Sequence, residues 1–307
     1  MRRVQYERSG GPEVLEVVAA QVPVPGAGEL LVRVEAIGVT LSAIRRISAQ
    51  PVAQQLRAEV AGEVVAVGDG VDGYSVGYRV VGLCTADAYA EYVVLAADQA
   101  SAIPDGASAV DAVALMRSGL VALGALDTAA PREGETALIT AAAGGVGHLA
   151  VQLARVRGAS WVVAAVSDTA KADFVRELGA DEVFTYDQLH CGKQADYALD
   201  GIGGSGIGAT LAGLAEGGRA VTYGTGTGLL DAEDLLAGGK SLTGFRIGRL
   251  AQRDPARYED LRQEVWQYYA SGLLHPVVHA QFPLDDAAAA HAVIEQRANL
   301  GKVVLIP

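Results

Sequence analysis

The turn Ala141-Ala142-Ala143-Gly144-Gly145-Val146-Gly147 is the stretch of this 307-residue chain whose residue types and spacing say most about chemistry. Gly144 and Gly145 permit a tight turn and let main chain approach a phosphate with no Cβ in the way. Gly147 lets a helix that begins there pack close to the preceding strand. The first N–H groups of such a helix lack partners and lie at the positive end of its dipole, so the turn is suited to a pyrophosphate. The residues expected to hold it are Ala143, Gly144, Gly145, Val146 and Gly147. Ala141 stands where the usual fingerprint has its first glycine. A glycine cluster alone is also an ordinary turn, so the flanking elements decide.

Those flanks have the required pattern. Thr136–Thr140 is short and apolar, as in a buried parallel strand. From His148 to Arg157, Leu149, Leu153 and Val156 recur at helical spacing, and Gly158 is a stop. A second strand, Trp161–Val166, ends where the fingerprint expects the residue that reads a ribose. Further strands near 182–185, 196–199 and 219–223 alternate with helical stretches from about residue 113 onward, which predicts a doubly wound parallel sheet. The first third reads as β. Glu29–Ala36, Gly62–Gly68 and Tyr89–Leu95 are strand candidates between turn signals such as Gly10-Gly11-Pro12, Pro25-Gly26 and Asp72-Gly73. A helix over 255–270, an extended run at 277–280, a helix over 285–296 and a strand at 302–306 follow. The economical arrangement is a nucleotide-binding domain inserted into a β-rich one that the C-terminal segment completes.

Half of the residues are apolar and the net charge is −12. That composition belongs to a folded α/β protein and argues against nucleic acid or an anionic membrane as partner. Cys84 and Cys191 are the only cysteines, and with five histidines they show neither a disulfide framework nor a zinc-ligand spacing. The start, Met1-Arg2-Arg3-Val4-Gln5-Tyr6-Glu7, is charged where a signal peptide is apolar, and no apolar run reads as a transmembrane span. A soluble, cytoplasmic protein is expected.

Landmarks along the whole chain resemble a known family. They are Gly10-Gly11-Pro12-Glu13-Val14-Leu15, Val32-Arg33-Val34 leading to Gly38-Val39, Glu59-Val60-Ala61-Gly62 and Tyr89-Ala90-Glu91-Tyr92-Val93. The glycine turn, Glu177-Leu178-Gly179-Ala180-Asp181, Gly217-Gly218-Arg219 and Gly301-Lys302-Val303-Val304-Leu305 continue the series. In that order they resemble the zinc-independent medium-chain dehydrogenase/reductases, nearest the zeta-crystallin-like quinone oxidoreductases, with polyketide-synthase enoyl reductases as close relatives. The resemblance implies a GroES-like β-rich domain over 1–112 and 250–307 and a Rossmann domain over 113–249. It also implies a nicotinamide cofactor in the cleft between them and a homodimer through edge strands, here Ser241 to Ile247.

NADPH is the expected cofactor. A NAD site has a carboxylate at the end of the second strand, whereas here that strand ends Val166-Ser167 and Lys171 follows. Tyr186 matches the position at which relatives present a phenol to the 2′-phosphate, and Arg297 matches a cofactor-contacting arginine of some relatives. Asp168 would oppose this reading if its side chain turned inward. Gly224, Thr225, Gly226 and Thr227 form the turn that passes the nicotinamide in relatives, although strand-to-helix turns of this kind also occur without that role.

Where zinc-dependent cousins have a cysteine and a histidine, this chain has Thr40 and Ala58. Metal-free hydride transfer needs an acceptor that is already electrophilic, such as a quinone or an enone. Thr40, Ser42 and Arg45 are the expected catalytic donors, because the tyrosine usual near Ser42–Arg46 is missing and the Gly-Leu-Thr-Ala pattern of relatives reads Gly119-Leu120-Val121-Ala122. The basic run Arg246, Arg249, Arg253, Arg257 and Arg262 suits the phosphate of a carrier- or CoA-linked substrate, or is a solvated face balanced by Asp254, Glu259 and Asp260. The altered substrate half leaves two alternatives open: an NADPH-binding protein without catalysis, serving as sensor or structural partner, and a reductive cyclase on the same scaffold.

Overall fold

The Val-rich stretches of the first third form antiparallel strands in a computed structural model that describes residues 1–49, 56–224, 226 and 228–307. They are β1 (Arg2–Gln5), β2 (Glu16–Ala19), β3 (Glu29–Val39), β4 (Ala58–Val67), β5 (Arg79–Cys84), β6 (Tyr92–Ala96) and β7 (Ala100–Ala102), with helix α1 (Leu41–Ala49) after β3. Helix α2 (Ala109–Ala129) follows. The alternating region then gives β8 (Thr136–Thr140), α3 (Gly147–Val156), β9 (Trp161–Val166), α4 (Ala172–Glu177), β10 (Glu182–Thr185) and β11 (Ala195–Asp200). It continues with α5 (Ile207–Ala212), β12 (Leu214–Thr222), α6 (Glu233–Leu236), β13 (Ser241–Gly244), α7 (Ile247–Arg253) and α8 (Pro255–Ala270). The chain closes with β14 (Val278–Pro283), α9 (Ala287–Glu295) and β15 (Lys302–Ile306).

Two compact units result: Met1–Arg117 with Val277–Pro307, and Ser118–Pro276. In the first, the strands run in the order β14-β15-β3-β4-β5-β7, β6 also pairs with β3, and β1 pairs with β2. β3 is the organiser. It is 11 residues long and pairs antiparallel with β4, β6 and β15, so the last strand of the chain lies beside the third. Leu30, Val32, Ile37, Val60 and Val303 are fully buried around it, and removing that apolar surface from water is the main term holding this unit together.

The second unit is a six-stranded sheet, β10-β9-β8-β11-β12-β13, with every pairing parallel. Strands are added on one side of β8, then on the other, so the order reverses between β8 and β11. The carboxyl ends of those two strands border the crevice in which doubly wound sheets bind ligands.

Residues 250–276 go with the parallel sheet, not with the β-rich unit as their sequence suggested, and 113–117 go the other way. The cause is packing. Leu261 and Val265 of α8 are fully buried, and a Cβ on Gly119 would lie 3.1 Å from a Val265 methyl. Gln152 of α3 also donates to His275 O at 3.0 Å and accepts from His275 N at 2.8 Å. Helix α2 is long and apolar enough to cross a membrane, against the sequence expectation, but 78% of its most apolar window is buried inside the protein.

Candidate functional site

At the end of β8 the chain enters the glycine turn through Ala141, whose φ is +51°. The first fingerprint position thus keeps the left-handed backbone that favours glycine although it carries an alanine. Gly144 N donates to Ala141 O at 2.9 Å and closes the turn. A Cβ on Gly147 would sit 2.1 Å from Ala141 O and 2.7 Å from Ala142 Cα, so only glycine lets α3 begin this close to the strand end. The amides of Gly145, Val146 and Gly147 meet no acceptor among the described residues, and they open a buried helix. Ala143 is buried beside them. His148 is fully buried, with Nδ1 3.0 Å from Gly144 O. A carbonyl only accepts, so Nδ1 carries the proton and the ring braces the turn.

Past β9, Ser167 is half-buried and Lys171 ends a short 3-10 turn, also half-buried. Asp168 faces away from any inward role: it is exposed and its Oδ1 accepts from Ala170 N at 2.8 Å, capping that turn. Thr185 of β10 is in register with Val166 of β9, so Tyr186 and Ser167 are the next residues past the two strand ends.

At the end of β11 lies Asp200, which is fully buried; its glycine-rich turn reads from sequence as one at the ligand-binding edge of the sheet, with no role for the carboxylate. Its carboxylate accepts from the hydroxyls of Thr140 at 2.9 Å, Thr210 at 3.2 Å and Thr222 at 2.7 Å. It also accepts from Gly203 N at 2.9 Å and Ile202 N at 3.4 Å. Thr140 and Thr222 end β8 and β12, so one acid ties the crevice ends of three adjacent strands together. Hydroxyl residues ending two neighbouring strands of an acid-ended strand were the available signal. Gly224 N and Tyr223 N donate to Asp200 O, and Gly226 bridges to Gly203. A Cβ on Gly224 would come 2.5 Å from Gly203 N, so the two glycine-rich turns need bare backbone to lie side by side. Thr225 and Thr227, expected in the cofactor turn, fall outside the described residues.

In the β-rich unit, Thr40 follows β3 and serves as N-cap of α1: Ala43 N donates to its Oγ1 at 3.3 Å and to its carbonyl at 3.1 Å. Thr40 Oγ1 and Ser42 Oγ are 2.9 Å apart. Two hydroxyls have two protons and their mutual bond takes one, so the pair retains a proton to donate. Arg45 lies one turn further along α1, exposed. Arg297 lies two residues past α9 in this unit with a φ of +56°, exposed, whereas the other residues expected to bind cofactor belong to the parallel-sheet unit.

The same end of the β-rich sheet holds a second group that sequence reading missed. Glu59 and Lys302 are buried, and Lys302 Nζ donates to Glu59 Oε2 at 2.7 Å. Arg117 Nε is 3.0 Å from Glu59 Oε1. Gly38 makes the room: a Cβ there would lie 2.7 Å from Glu59 Oε2 and 2.7 Å from Lys302 Cε. Of the basic run, Arg257 pairs with Asp127 and Glu264 and Arg262 with Glu259, while Arg246, Arg249 and Arg253 are exposed. Among the described residues no three His, Cys, Asp or Glu side chains gather as a metal site.

A parallel sheet that reverses at a glycine turn and an antiparallel unit completed by the C-terminal strand define a Rossmann domain and a GroES-like domain, the pair of domains of the medium-chain dehydrogenase/reductases. Residues 26–105 match the alcohol dehydrogenase GroES-like domain and residues 178–305 match the zinc-binding dehydrogenase domain. A Pseudomonas aeruginosa quinone oxidoreductase is 32% identical over 325 residues, covering 100% of this chain and 99% of that protein. A Burkholderia 2-haloacrylate reductase is 31% identical, covering 98% and 97%. A mycobacterial protein solved in complex with NADPH superposes with a TM-score of 0.92 at 32% identity, covering 100% of both chains. The chain belongs to the quinone oxidoreductase family, on the zinc-independent branch of that superfamily.

Proposed function

We propose that the protein is an NADPH-dependent, metal-independent reductase of a quinone or of a carbon–carbon double bond conjugated to a carbonyl. The observation that carries this reading is the cradle at the start of α3, where three amides meet no acceptor among the described residues, next to the sheet's reversal point, and Gly147 leaves no Cβ in the way. The related reductases, one of them named for a haloacrylate, and the NADPH-bound neighbour support it.

Bound NADPH supplies a hydride to an electrophilic carbon. The chain's own residues bind and orient. Ala143, Gly144, Gly145, Val146 and Gly147 receive the pyrophosphate, while Ser167, Lys171 and Tyr186 receive the 2′-phosphate, with Asp168 held in its own turn. Gly224 and Gly226 keep the neighbouring turn thin, Thr225 and Thr227 belong to the same stretch of sequence, and Arg297 adds a cation. Thr40 and Ser42 offer a hydroxyl proton, and Arg45 a guanidinium, to the oxygen that gains charge. Carrier- or CoA-linked substrates fall within this reading, with Arg246, Arg249 and Arg253 for their phosphates. The open edge of β13 suits pairing with a second copy as a homodimer.

Calorimetric titration with NADPH and NADH tests the cofactor reading. NADPH should bind at least ~10-fold more tightly, since a 2′-phosphate charge pair is worth about 1.4 kcal/mol or more. Equal affinity would remove the roles of Ser167, Lys171 and Tyr186, and no uptake of either would end the proposal. Loss of NADPH absorbance with 1,4-benzoquinone or 2-cyclohexenone tests the reaction. Tight binding without oxidation across such a panel would favour the non-catalytic alternative.

A further inference from the structure

Arg117 is the only charged side chain between Asp111 and Asp127 of α2, a helix whose neighbouring positions are buried. A cation in such a place needs a reason. Glu59 supplies only part of one. Its carboxylate has a single negative charge, already met on Oε2 by Lys302 Nζ at 2.7 Å. Side chains 4% exposed on both sides make that pair self-sufficient. Arg117 adds a second cation to the same carboxylate, so the three-residue group carries one positive charge in excess. The contact is one-pronged, through Nε, and Nη1 and Nη2 meet no acceptor among the described residues. The Arg117 side chain is 39% exposed, so those donors are accessible. Arginine–carboxylate pairs are frequently bidentate, and this one leaves both Nη groups for another acceptor.

The location matches the chemistry. Gly38 lies beneath the Glu59–Lys302 pair. Two residues after Gly38, just past the end of β3, is Thr40, and Val39 is opposite Val303, next to Lys302. The excess charge is therefore at the sheet end that carries Thr40 and Ser42.

We propose that Arg117 is a catalytic residue that holds the substrate oxygen on which negative charge develops, with Glu59 fixing its orientation and Lys302 cancelling the charge of Glu59. This rests on the reductase reading above. Hydride addition to the β-carbon of an enone or acrylate breaks the C=C π bond, and its electron pair moves through the conjugated system to the carbonyl oxygen as an enolate. Water then protonates the α-carbon and NADPH has become NADP⁺. The Nη groups of Arg117 bond that oxygen more strongly as it becomes an anion, which is the condition for lowering the barrier. The substrate class this favours is a conjugated carboxylate or ketone.

The test uses the full-length protein, Arg117→Gln and Arg117→Ala. Reduction of 2-cyclohexenone and 2-chloroacrylate should fall ~100-fold in kcat/KM, the usual effect of losing one oxyanion donor. NADPH affinity by calorimetry should stay within ~2-fold. Added guanidinium ion should restore part of the activity of Arg117→Ala, and tetramethylammonium should not. Binding of 2-chloropropionate, a saturated carboxylate, should weaken at least ~10-fold in Arg117→Gln. Because the Glu59–Lys302 pair survives these changes, the melting temperature should hold, and Arg117→Lys serves if it does not. Intact activity and carboxylate binding in Arg117→Gln would overturn the proposal, as would failure of the parent to bind 2-chloropropionate. Loss of NADPH binding in the variants would also overturn it. A parent that binds no NADPH at all would instead remove the reductase reading.

Discussion

Each unit buries one carboxylate at the strand ends that matter, and the two units satisfy it in opposite ways. Asp200, in the parallel sheet, is surrounded by three hydroxyls and two amides with no cation among its partners. Glu59, in the β-rich sheet, is met by an ammonium and a guanidinium. Neutral donors fix geometry without adding charge: Thr140 and Thr222 are drawn to one acid, and the ends of β8, β11 and β12 are held in a fixed relation. Two cations on one anion leave charge over. The comparison teaches that the first arrangement shapes a cradle, while the second supplies an electrostatic group to a reaction.

Four measurements would break or sharpen that contrast. The largest effect is expected from Glu59→Leu, which leaves the buried Lys302 ammonium without an anion. Chemical denaturation should show a loss of about 3–5 kcal/mol, the usual result of removing one member of a buried pair. Next comes a pH effect confined to the β-rich unit. His291 is 1% exposed, its Nε2 lies 2.9 Å from Tyr89 Oη, and burial pushes its imidazole down to about 4. The unfolded chain takes up that proton nearer 6.5. Stability from this group is therefore complete above pH 6.5 and declines as pH falls toward 4, by on the order of 3 kcal/mol. Denaturation midpoints across that range should show the slope, and His291→Gln should flatten it.

Asp200→Asn should cost less than Glu59→Leu, about 1–3 kcal/mol, because both oxygens of Asp200 receive donors and an amide nitrogen would face one of them. Equal losses in the two variants would mean that hydroxyls and amides hold a buried acid as firmly as cations do. The smallest effect should come from Ala141→Gly. At a φ of +51°, relief of strain should exceed the added freedom of the unfolded chain by about 0.5–1 kcal/mol, raising the melting temperature by a few degrees.

Much of the cradle was legible in the chain. The strand at 136–140, the helix following Gly147 and the second strand at 161–166 stand where apolar spacing and glycines put them. The β-rich first third and the closing strand at 302–306 were legible in the same way. Asp200 was visible as a residue but not as a hub, because its hydroxyl partners lie 10, 22 and 60 positions away.

Local pattern by itself determined the elements and the glycine turn, since period-2 and period-3.6 burial and a missing Cβ act over a few residues. Tertiary structure alone decided that Lys302 meets Glu59 across 243 positions, and that Arg117 joins them. It also decided that 250–276 packs with the parallel sheet. The physical reason is strand order. β3 lies between β4 and β15, and no property of Glu59, Arg117 or Lys302 taken singly says which strands will be neighbours.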